Sequence, residues 1–178
     1  MHENLSSTEL KRLHRQWRKQ TNRKVSLIIA GVQGPYNVGS IIRTAAAERV
    51  DHIWFIEGST TPQNTKTGKT ALGSERFVNW TIETDVSAAI ESARIKGYKI
   101  VGLELASNAE PILTANLTED VCLLIGHEDR GIPKAALDEC DLVTYIPQVG
   151  KIGSLNVAIA TSIALYEVRR QEWAEGGN

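Results

Sequence analysis

Three segments of the sequence place glycines beside polar side chains, a composition that suits sites that bind and orient a ligand. These segments are residues 37–45 (NVGSIIRTA), 124–133 (LIGHEDRGIP) and 145–157 (YIPQVGKIGSLNV). Each segment follows an apolar run typical of a buried strand. The polar groups are therefore expected together at the carboxyl edge of a parallel sheet, where α/β proteins usually bind ligands.

The first segment contains one charged residue, Arg43, in an otherwise apolar and alanine-rich stretch from Val38 to Ala47. Asn37 precedes this stretch and is a candidate N-cap of the predicted helix. Because arginine side chains are mostly exposed, an ordinary surface arginine is the alternative interpretation.

The second and third segments each predict a strand, a glycine-containing loop and a helix. Gly126 and Gly131 bracket four polar residues, and an ordinary turn is the alternative, since glycine and polar residues dominate turns. In the third segment Ser154 is a candidate helix cap. A plain core helix would explain the alanines that follow, but not the residues 154–156 (SLN) behind a glycine-rich loop.

The rest of the chain predicts the scaffold that positions these segments. Strands are predicted over residues 25–31, 52–57, 77–82, 98–105, 121–126 and 142–147, and helices over residues 6–20, 37–49, 85–96, 133–140 and 154–173. This alternation, with strands apolar on both faces, predicts an α/β fold: a mostly parallel sheet with helices on both faces. Residues 59–75 show no period and are predicted to form a long loop.

Several classes of protein lack support in the sequence. Cys122 and Cys140 form no CxxC pair, and the four histidines have no ligand spacing, so we expect no metal site. Residues 68–70 (GKT) suggest a phosphate-binding P-loop, but Gln63 stands where that motif needs glycine. There is no GxGxxG motif, no signal-peptide pattern and no apolar run of about 20 residues. We therefore expect a cytoplasmic protein that does not enter membranes.

Taken together and in this order, the three segments resemble the signature motifs of SpoU/TrmH-type RNA 2′-O-ribose methyltransferases of the SPOUT superfamily. The resemblance extends from about Val25 to Arg170, and residues 69–75 (KTALGSE) are similar to the family's loop after the second strand. At two positions the sequence differs from the usual family pattern. His127 stands where family members usually have Asn, and Asp129 stands where they often have Gly.

The resemblance implies a C-terminal trefoil knot that binds S-adenosylmethionine. Glycines would let the backbone approach the adenosine, and apolar side chains would form the walls. The cofactor-binding residues implied in this way are Leu103, Glu104, Gly126, His127, Ile146, Gln148, Ser154 and Leu155.

The implied reaction is attack of a ribose 2′-oxygen on the sulfonium methyl group of that cofactor, which needs no metal. Arg43 matches the family's essential arginine. Because the pKa of arginine is above ~12, we expect it to bind a phosphate and stabilise the developing alkoxide rather than act as a base. The residues expected to orient Arg43 and the ribose are Asn37, Glu128, Ser154 and Asn156.

A basic N-terminal segment completes the expectations. The net charge of −1 excludes a uniformly basic surface, but not a local patch. Residues 1–24 are predicted to be a basic helical extension that binds RNA, and residues 25–178 the SPOUT methyltransferase domain. The proposed RNA-binding residues are Lys11, Arg12, Arg15, Arg18, Lys19 and Arg23. A solvated surface helix is the alternative, since Lys/Arg-rich runs are often just solvated.

The family also implies a homodimer, with the alanine-rich helix after Asn156 at the interface. A compact RNA element such as a tRNA loop is favoured over an rRNA site, because the N-terminal segment is too short for a recognition domain. An rRNA ribose methyltransferase, a methyltransferase acting on a base nitrogen, and a noncatalytic RNA-binding protein with the same fold remain the alternatives.

Overall fold

The computed structural model describes residues 3–176 and contains one seven-stranded sheet. The strands are β1 (Val25–Ile29), β2 (His52–Ile56), β3 (Asn79–Glu83), β4 (Lys99–Leu103), β5 (Glu110–Pro111), β6 (Val121–Ile125) and β7 (Leu142–Tyr145). Their order in the sheet is β3-β2-β1-β6-β4-β7-β5, and all the pairings are parallel. The predicted parallel α/β sheet is therefore confirmed.

The helices are α1 (Ser7–Lys19), α2 (Pro35–Ala47), α3 (Thr65–Ala71), α4 (Val86–Ile95), α5 (Lys134–Asp138) and α6 (Val157–Glu175), with a 3₁₀ helix at Ser74–Phe77. Helices α2 and α6 pack on one face of the sheet, and α4 and α5 pack on the other. Along β1, Leu27 and Ile29 face the core formed with α2 and α6, whereas Ile28 faces the core formed with α4 and α5. Because both faces are covered, the central strands β1 and β6 are buried along their whole length and are mostly apolar. None of the helices within residues 3–176 is long and apolar enough to cross a membrane.

The pairing of β1 with β6 positions the first two motifs. Ile29 is the register partner of Ile125, so the two chain segments that leave these strands begin side by side. One leads to α2 and contains the first motif, and the other contains Gly126 and Gly131. Parallel strands thus bring together residues that lie about ninety positions apart in the sequence.

Two predicted helix caps are wrong. The N-cap of α2 is Gly34, because Pro35 occupies the first helical position, where its fixed φ and missing N–H are tolerated. Asn37 therefore lies in the first turn of α2, and Arg43 lies in the third turn. The N-cap of α6 is Asn156, whose side chain accepts hydrogen bonds from the backbone of Ala158 and Ile159, so Ser154 precedes the helix without capping it.

The long loop predicted over residues 59–75 is also wrong, because it contains α3 and the start of the 3₁₀ helix. Thr and Gly favour helices weakly, so this segment has no helical signal of its own. Asn64 caps α3, and close packing on α2 stabilises it. A Cβ on Gly39 of α2 would lie 2.7 Å from the carbonyl oxygen of Thr67, so the glycine permits this contact.

The predicted N-terminal helix is confirmed as α1, and Ser6 and Glu9 form a capping box at its start. No residue of α1 is buried. Trp17 attaches its end to the domain by packing against Trp173 of α6, with ring centroids 4.8 Å apart. The connecting segment is held by the buried Arg169, which donates to the carbonyl oxygen of Arg23.

Candidate active site

Three of the predicted catalytic residues form one chain of hydrogen bonds. The Asn156 side chain donates to Oδ1 of Asn37 over 2.9 Å, and Nδ2 of Asn37 donates to Oε1 of Glu128 over 3.1 Å. These residues come from the start of α6, the first turn of α2 and the loop after β6. The chain therefore joins all three sequence motifs, and it fixes the orientation of both carboxamides.

Glu128 also closes the turn before α2. Its carboxylate accepts the backbone N–H of Gly34 over 2.9 Å and that of Gln33 over 3.2 Å. Partial burial alone would raise the pKa of Glu128. The hydrogen bonds from its own backbone, the Asn37 side chain and these two amides outweigh burial and lower the pKa below the usual value. Glu128 is thus an anion at neutral pH.

Arg43 is not part of the hydrogen-bonded chain Asn156–Asn37–Glu128. Its side chain is exposed on α2 and forms no hydrogen bond or ion pair with any residue between 3 and 176. Ser154 is likewise exposed and has no hydrogen-bond partner within that range. Both groups are therefore free to contact a ligand.

Beside this chain lies a cavity of about 310 Å³ at the carboxyl ends of β4, β6 and β7. All eight predicted cofactor-binding residues line it, and so does Glu128. The lining residues that the prediction missed are Leu105, Ile125, Asp129, Arg130, Gly131, Tyr145, Val157 and Ala160. Most of these residues lie inside the three motifs, so membership of a motif could have identified them as cavity residues. Leu105 and Ala160 had no signal of their own.

Close packing of two glycines shapes the wall of the cavity. A Cβ on Gly126 would lie 2.2 Å from the carbonyl carbon of Gly131, so only glycine fits there. Gly131 has a φ of +64°, in the left-handed region that favours glycine. His127 and Gly131 also exchange backbone hydrogen bonds, which close the loop.

Glu104 supports this loop from the side of β4. Its carboxylate accepts the backbone N–H of Leu105 over 3.0 Å and that of Ile132 over 2.9 Å. A Cβ on Gly131 would lie 2.3 Å from Oε2 of Glu104. The carboxylate of Glu104 therefore holds the loop in place, in addition to lining the cavity.

His127 uses its side chain to hold the same loop. Its Nδ1 accepts the backbone N–H of Asp129 over 3.0 Å. In an asparagine, Oδ1 stands at the same number of bonds from Cα and can accept from the residue two positions further on. The imidazole thus supplies an acceptor that asparagine, the residue that the resemblance predicts at this position, could also supply.

Gln148 leaves one acceptor unused. Its Oε1 atom is buried and has no hydrogen-bond partner among residues 3–176, and Gln148 lines the cavity. A buried carbonyl oxygen without a donor is costly for the protein alone. A ligand with an N–H or O–H group could satisfy it.

Comparison with known proteins agrees with this geometry. Residues 24–166 match the model of the SpoU rRNA Methylase family. The chain belongs to that family.

Individual relatives of this SpoU-family chain are moderately similar. The 23S rRNA (guanosine(2553)-2′-O)-methyltransferase RlmP of Bacillus subtilis (strain 168) is 34% identical over 149 residues, which cover 84% of this chain and 59% of the relative. The chain thus spans about three fifths of the length of that relative.

Solved structures share the fold. The AdoMet-bound rRNA methyltransferase from Sinorhizobium meliloti superimposes with a TM-score of 0.79 at 30% identity, covering 87% of this chain and 60% of that chain. A structure concerned with the 2-OH methylation of C/U34 on tRNA superimposes with a TM-score of 0.75 at 27% identity, covering 84% and 96%.

The SpoU-family domain also exposes apolar residues on one side of α6. Ile159, Ile163 and Tyr166 are each 40–56% exposed, and their spacing of four and three residues places them on one helix face. Ile163 and Tyr166 line a shallow groove with Leu113 and Ile112. Such a contiguous apolar surface is typical of a protein interface.

The cations of α1 are arranged on the opposite side from its apolar residues. Five of the six predicted RNA-binding residues are exposed and share one helix face: Lys11, Arg12, Arg15, Arg18 and Lys19. Arg23 differs, because it lies after the helix, forms an ion pair with Glu175 and has a side chain only 20% exposed.

Proposed function

We propose that this protein transfers a methyl group from S-adenosylmethionine to a ribose 2′-hydroxyl in RNA. The observation that carries the proposal is the hydrogen-bonded chain Asn156–Asn37–Glu128 beside a cavity lined by Leu103, Gly126 and Leu155. Membership of the SpoU family supports the same conclusion, as do the activities that the names of the compared relatives state.

The cavity fits the cofactor in size and chemistry. A volume of about 310 Å³ lies at the lower end of the range for small-molecule sites, ~300–1,000 Å³. Leu103, Ile146 and Leu155 would contact the adenosine, and the unpaired Oε1 of Gln148 would accept one of its N–H or O–H groups. The carboxylate of Glu128 adds negative charge for a cationic ligand. When bound, S-adenosylmethionine would supply an already activated methyl group.

The side chains of the site would then position the ribose and stabilise the charge that develops on its 2′-oxygen. Glu128 is a weak base, because its pKa is lowered, and Arg43 cannot accept a proton. We therefore assign Glu128, with Asn37 and Asn156, to orienting the site. Arg43 would bind the neighbouring phosphate and stabilise the oxyanion that develops as the hydroxyl gives up its proton to solvent water. Ser154 would donate to the ribose.

We further propose RNA contact through the basic face of α1 and a tRNA rather than an rRNA substrate, in the cytoplasm. The five exposed cations of α1 form no ion pair within residues 3–176 and can contact phosphates. The tRNA proposal rests on the similarity to a structure that concerns tRNA methylation, 96% of which this chain covers. The relatives that act on rRNA keep the rRNA alternative open.

We also propose a homodimer formed through the exposed face of α6. Ile159, Ile163 and Tyr166 would be buried against their counterparts, with the groove next to Leu113 at the edge of the contact. Ile163→Glu should convert the dimer to monomers in sedimentation experiments, because a carboxylate would be buried in an apolar interface. An Ile95→Glu control, on the other side of the sheet, should remain dimeric.

The test is methyl transfer from isotope-labelled S-adenosylmethionine to bulk RNA purified from cells that lack this protein. After digestion to nucleosides, mass spectrometry should detect label in 2′-O-methylated nucleosides. Label in a base would favour the methyltransferase that acts on nitrogen. Calorimetric binding of the cofactor without any transfer would favour a noncatalytic protein.

A further inference from the structure

A second exposed apolar site lies between α3 and β3. Leu72 is 65% exposed and Phe77 is 68% exposed. Large apolar side chains in such positions contribute little to the stability of the folded domain. Their exposure therefore needs another explanation.

The backbone presents these side chains at an energetic cost. Leu72 has a φ of +53° and the next residue, Gly73, has a φ of +81°, so two consecutive residues adopt the left-handed conformation. This conformation is unfavourable for leucine, and residues that keep it are concentrated at functional sites. The turn that it creates places the 3₁₀ helix Ser74–Phe77 directly after α3.

The surroundings of the two apolar side chains are basic. Lys66, Lys69 and Arg76 are exposed along the same segment, which contains one acid, the half-buried Glu75. The segment 64–77 therefore has a net charge of +2, in a chain whose net charge is −1. The Arg76 guanidinium lies 4.8 Å from the centre of the Phe77 ring, so cation and ring already form a stack.

The packing of α3 places this surface beside Arg43. Gly39 contacts Thr67 and Thr70 of α3, and a Cβ on Gly39 would lie 2.7 Å from atoms of both residues. Arg43 lies one turn after Gly39 on the same face of α2. The 3₁₀ helix also contacts α2. A strand of RNA with one phosphate at Arg43 would therefore have neighbouring nucleotides within reach of Phe77.

We propose that Leu72, Arg76 and Phe77 form a stacking platform for unpaired nucleobases next to the modified ribose, with Lys66 and Lys69 contacting phosphates. The proposal rests on the proposed function, since it assumes an RNA substrate. Exposed aromatic and guanidinium planes bind unstacked bases in RNA, and flanking lysines match the charge of the backbone. The basic charge favours RNA over a second copy of this slightly acidic chain.

The experiment measures binding of fluorescently labelled bulk RNA, purified from cells that lack this protein, to the full chain. Phe77→Ala should weaken binding about 5- to 100-fold, the usual scale for one base stacked on an aromatic ring. Phe77→Trp should preserve affinity and Phe77→Leu should not, because stacking needs a planar ring. Lys66→Ala with Lys69→Ala should reduce the dependence of affinity on salt.

Controls separate the platform from folding, from dimer formation and from the proposed activity. Ile95→Ala removes a side chain of similar exposure on α4, on the opposite side of the sheet, and should bind RNA like the parent. All variants should keep the parent's affinity for S-adenosylmethionine and its sedimentation. Parental RNA affinity in Phe77→Ala, full binding by Phe77→Leu, or dissociation of a dimer on substitution of Phe77 would overturn the platform. Methyl transfer by the parent, measured in parallel, tests the proposed function alone.

Discussion

The wall of the cavity and the exposed cations, which are Arg43 and those of α1, differ in how their polar groups are held. Around the cavity, Glu104, Glu128 and His127 each accept hydrogen bonds from backbone amides of the chain. Arg43 has no hydrogen bond or ion pair within residues 3–176, and the cations of α1 form no ion pair there. The cavity is therefore a preformed site for a small ligand, whereas the exposed cations would gain anionic partners only when a polyanion binds. The two regions should therefore respond differently to substitution.

The largest effect is expected at the packed glycines. Gly126→Val would place side-chain atoms within the backbone of Gly131, so the loop could not keep its conformation. We expect affinity for S-adenosylmethionine to fall by more than about 100-fold, together with a lower melting temperature, as for other severe overpacking. Calorimetry and thermal denaturation measure the two quantities. Gly150→Val is the matched control, since a Cβ there meets no atom within 4 Å. Unchanged cofactor affinity in a folded Gly126→Val protein would show that the cofactor does not bind in this cavity.

A large effect on turnover alone is expected at Arg43. Because its side chain has no partner in the chain, Arg43→Ala should leave folding and cofactor affinity intact. Single-turnover methyl transfer should fall by roughly 10²-fold, the usual scale for one preorganised electrostatic group. Arg43→Lys should restore little, since an ammonium lacks the planar fork. A rate within threefold of the parent would exclude Arg43 from the mechanism.

An effect on RNA alone is expected at α1. Arg15→Glu combined with Arg18→Glu should weaken RNA binding about tenfold or more at low salt and flatten the salt dependence, because fewer counterions are released. Cofactor affinity should not change. A parallel Glu3→Gln with Gln16→Glu variant alters side chains in or next to α1 without removing a cation, and it should bind RNA nearly as the parent does. Parental affinity and salt slope in the double charge reversal would identify α1 as a solvated helix only.

A smaller effect is expected at Asn156, which caps α6 and also donates a hydrogen bond to Asn37. Asn156→Asp keeps an oxygen that can cap α6, so the melting temperature should stay close to that of the parent. The carboxylate cannot donate to Asn37, so methyl transfer should fall roughly two- to tenfold, the scale of one hydrogen bond. Asn156→Ala should lower both quantities. Equal activity in Asn156→Asp and the parent would show that the link to Asn37 is dispensable.

The smallest effect concerns pH. The folded-state pKa of Glu128 is lower than its unfolded value, so its stabilising contribution is complete above about pH 4.3 and is lost as pH falls through the folded value. The difference in melting temperature between the parent and Glu128→Gln should stay constant from pH 8 to pH 5 and shrink only in stronger acid. A difference that shrinks between pH 7 and pH 5 would contradict the lowered pKa.

The sequence motifs predicted the family, the parallel sheet and the residues around the cavity, because each motif follows a strand that alternation and apolarity identify. They could not predict α3, whose Thr- and Gly-rich sequence has a weak helix propensity and which packs against Gly39. Local spacing also misassigned the caps of α2 and α6, because Pro35 fixes the first helical position of α2 and Asn156 is as good a cap as Ser154. The trefoil knot stays a prediction.

Long-range partners were the other gap. The ion pair of Arg23 with Glu175 and the support that Glu104 gives to the loop after β6 join residues far apart in the chain. Neither pairing has a signal in local spacing. By contrast, the chain Asn156–Asn37–Glu128 joins residues that the motifs had already assigned to one site, although not to particular hydrogen bonds.

The imidazole of His127 performs through one atom what an asparagine at this position could perform. What the loop requires is an acceptor atom two bonds beyond Cβ, and Nδ1 of histidine satisfies this as Oδ1 of asparagine does. To accept from Asp129, Nδ1 must be unprotonated, so the neutral ring carries its hydrogen on Nε2. A consensus sequence written in amino-acid letters scores histidine at this position as a mismatch. A description by atom positions treats histidine and asparagine as equivalent. A search that asks which atom reaches the backbone amide of Asp129 would therefore keep sequences that a letter-based pattern rejects at this position.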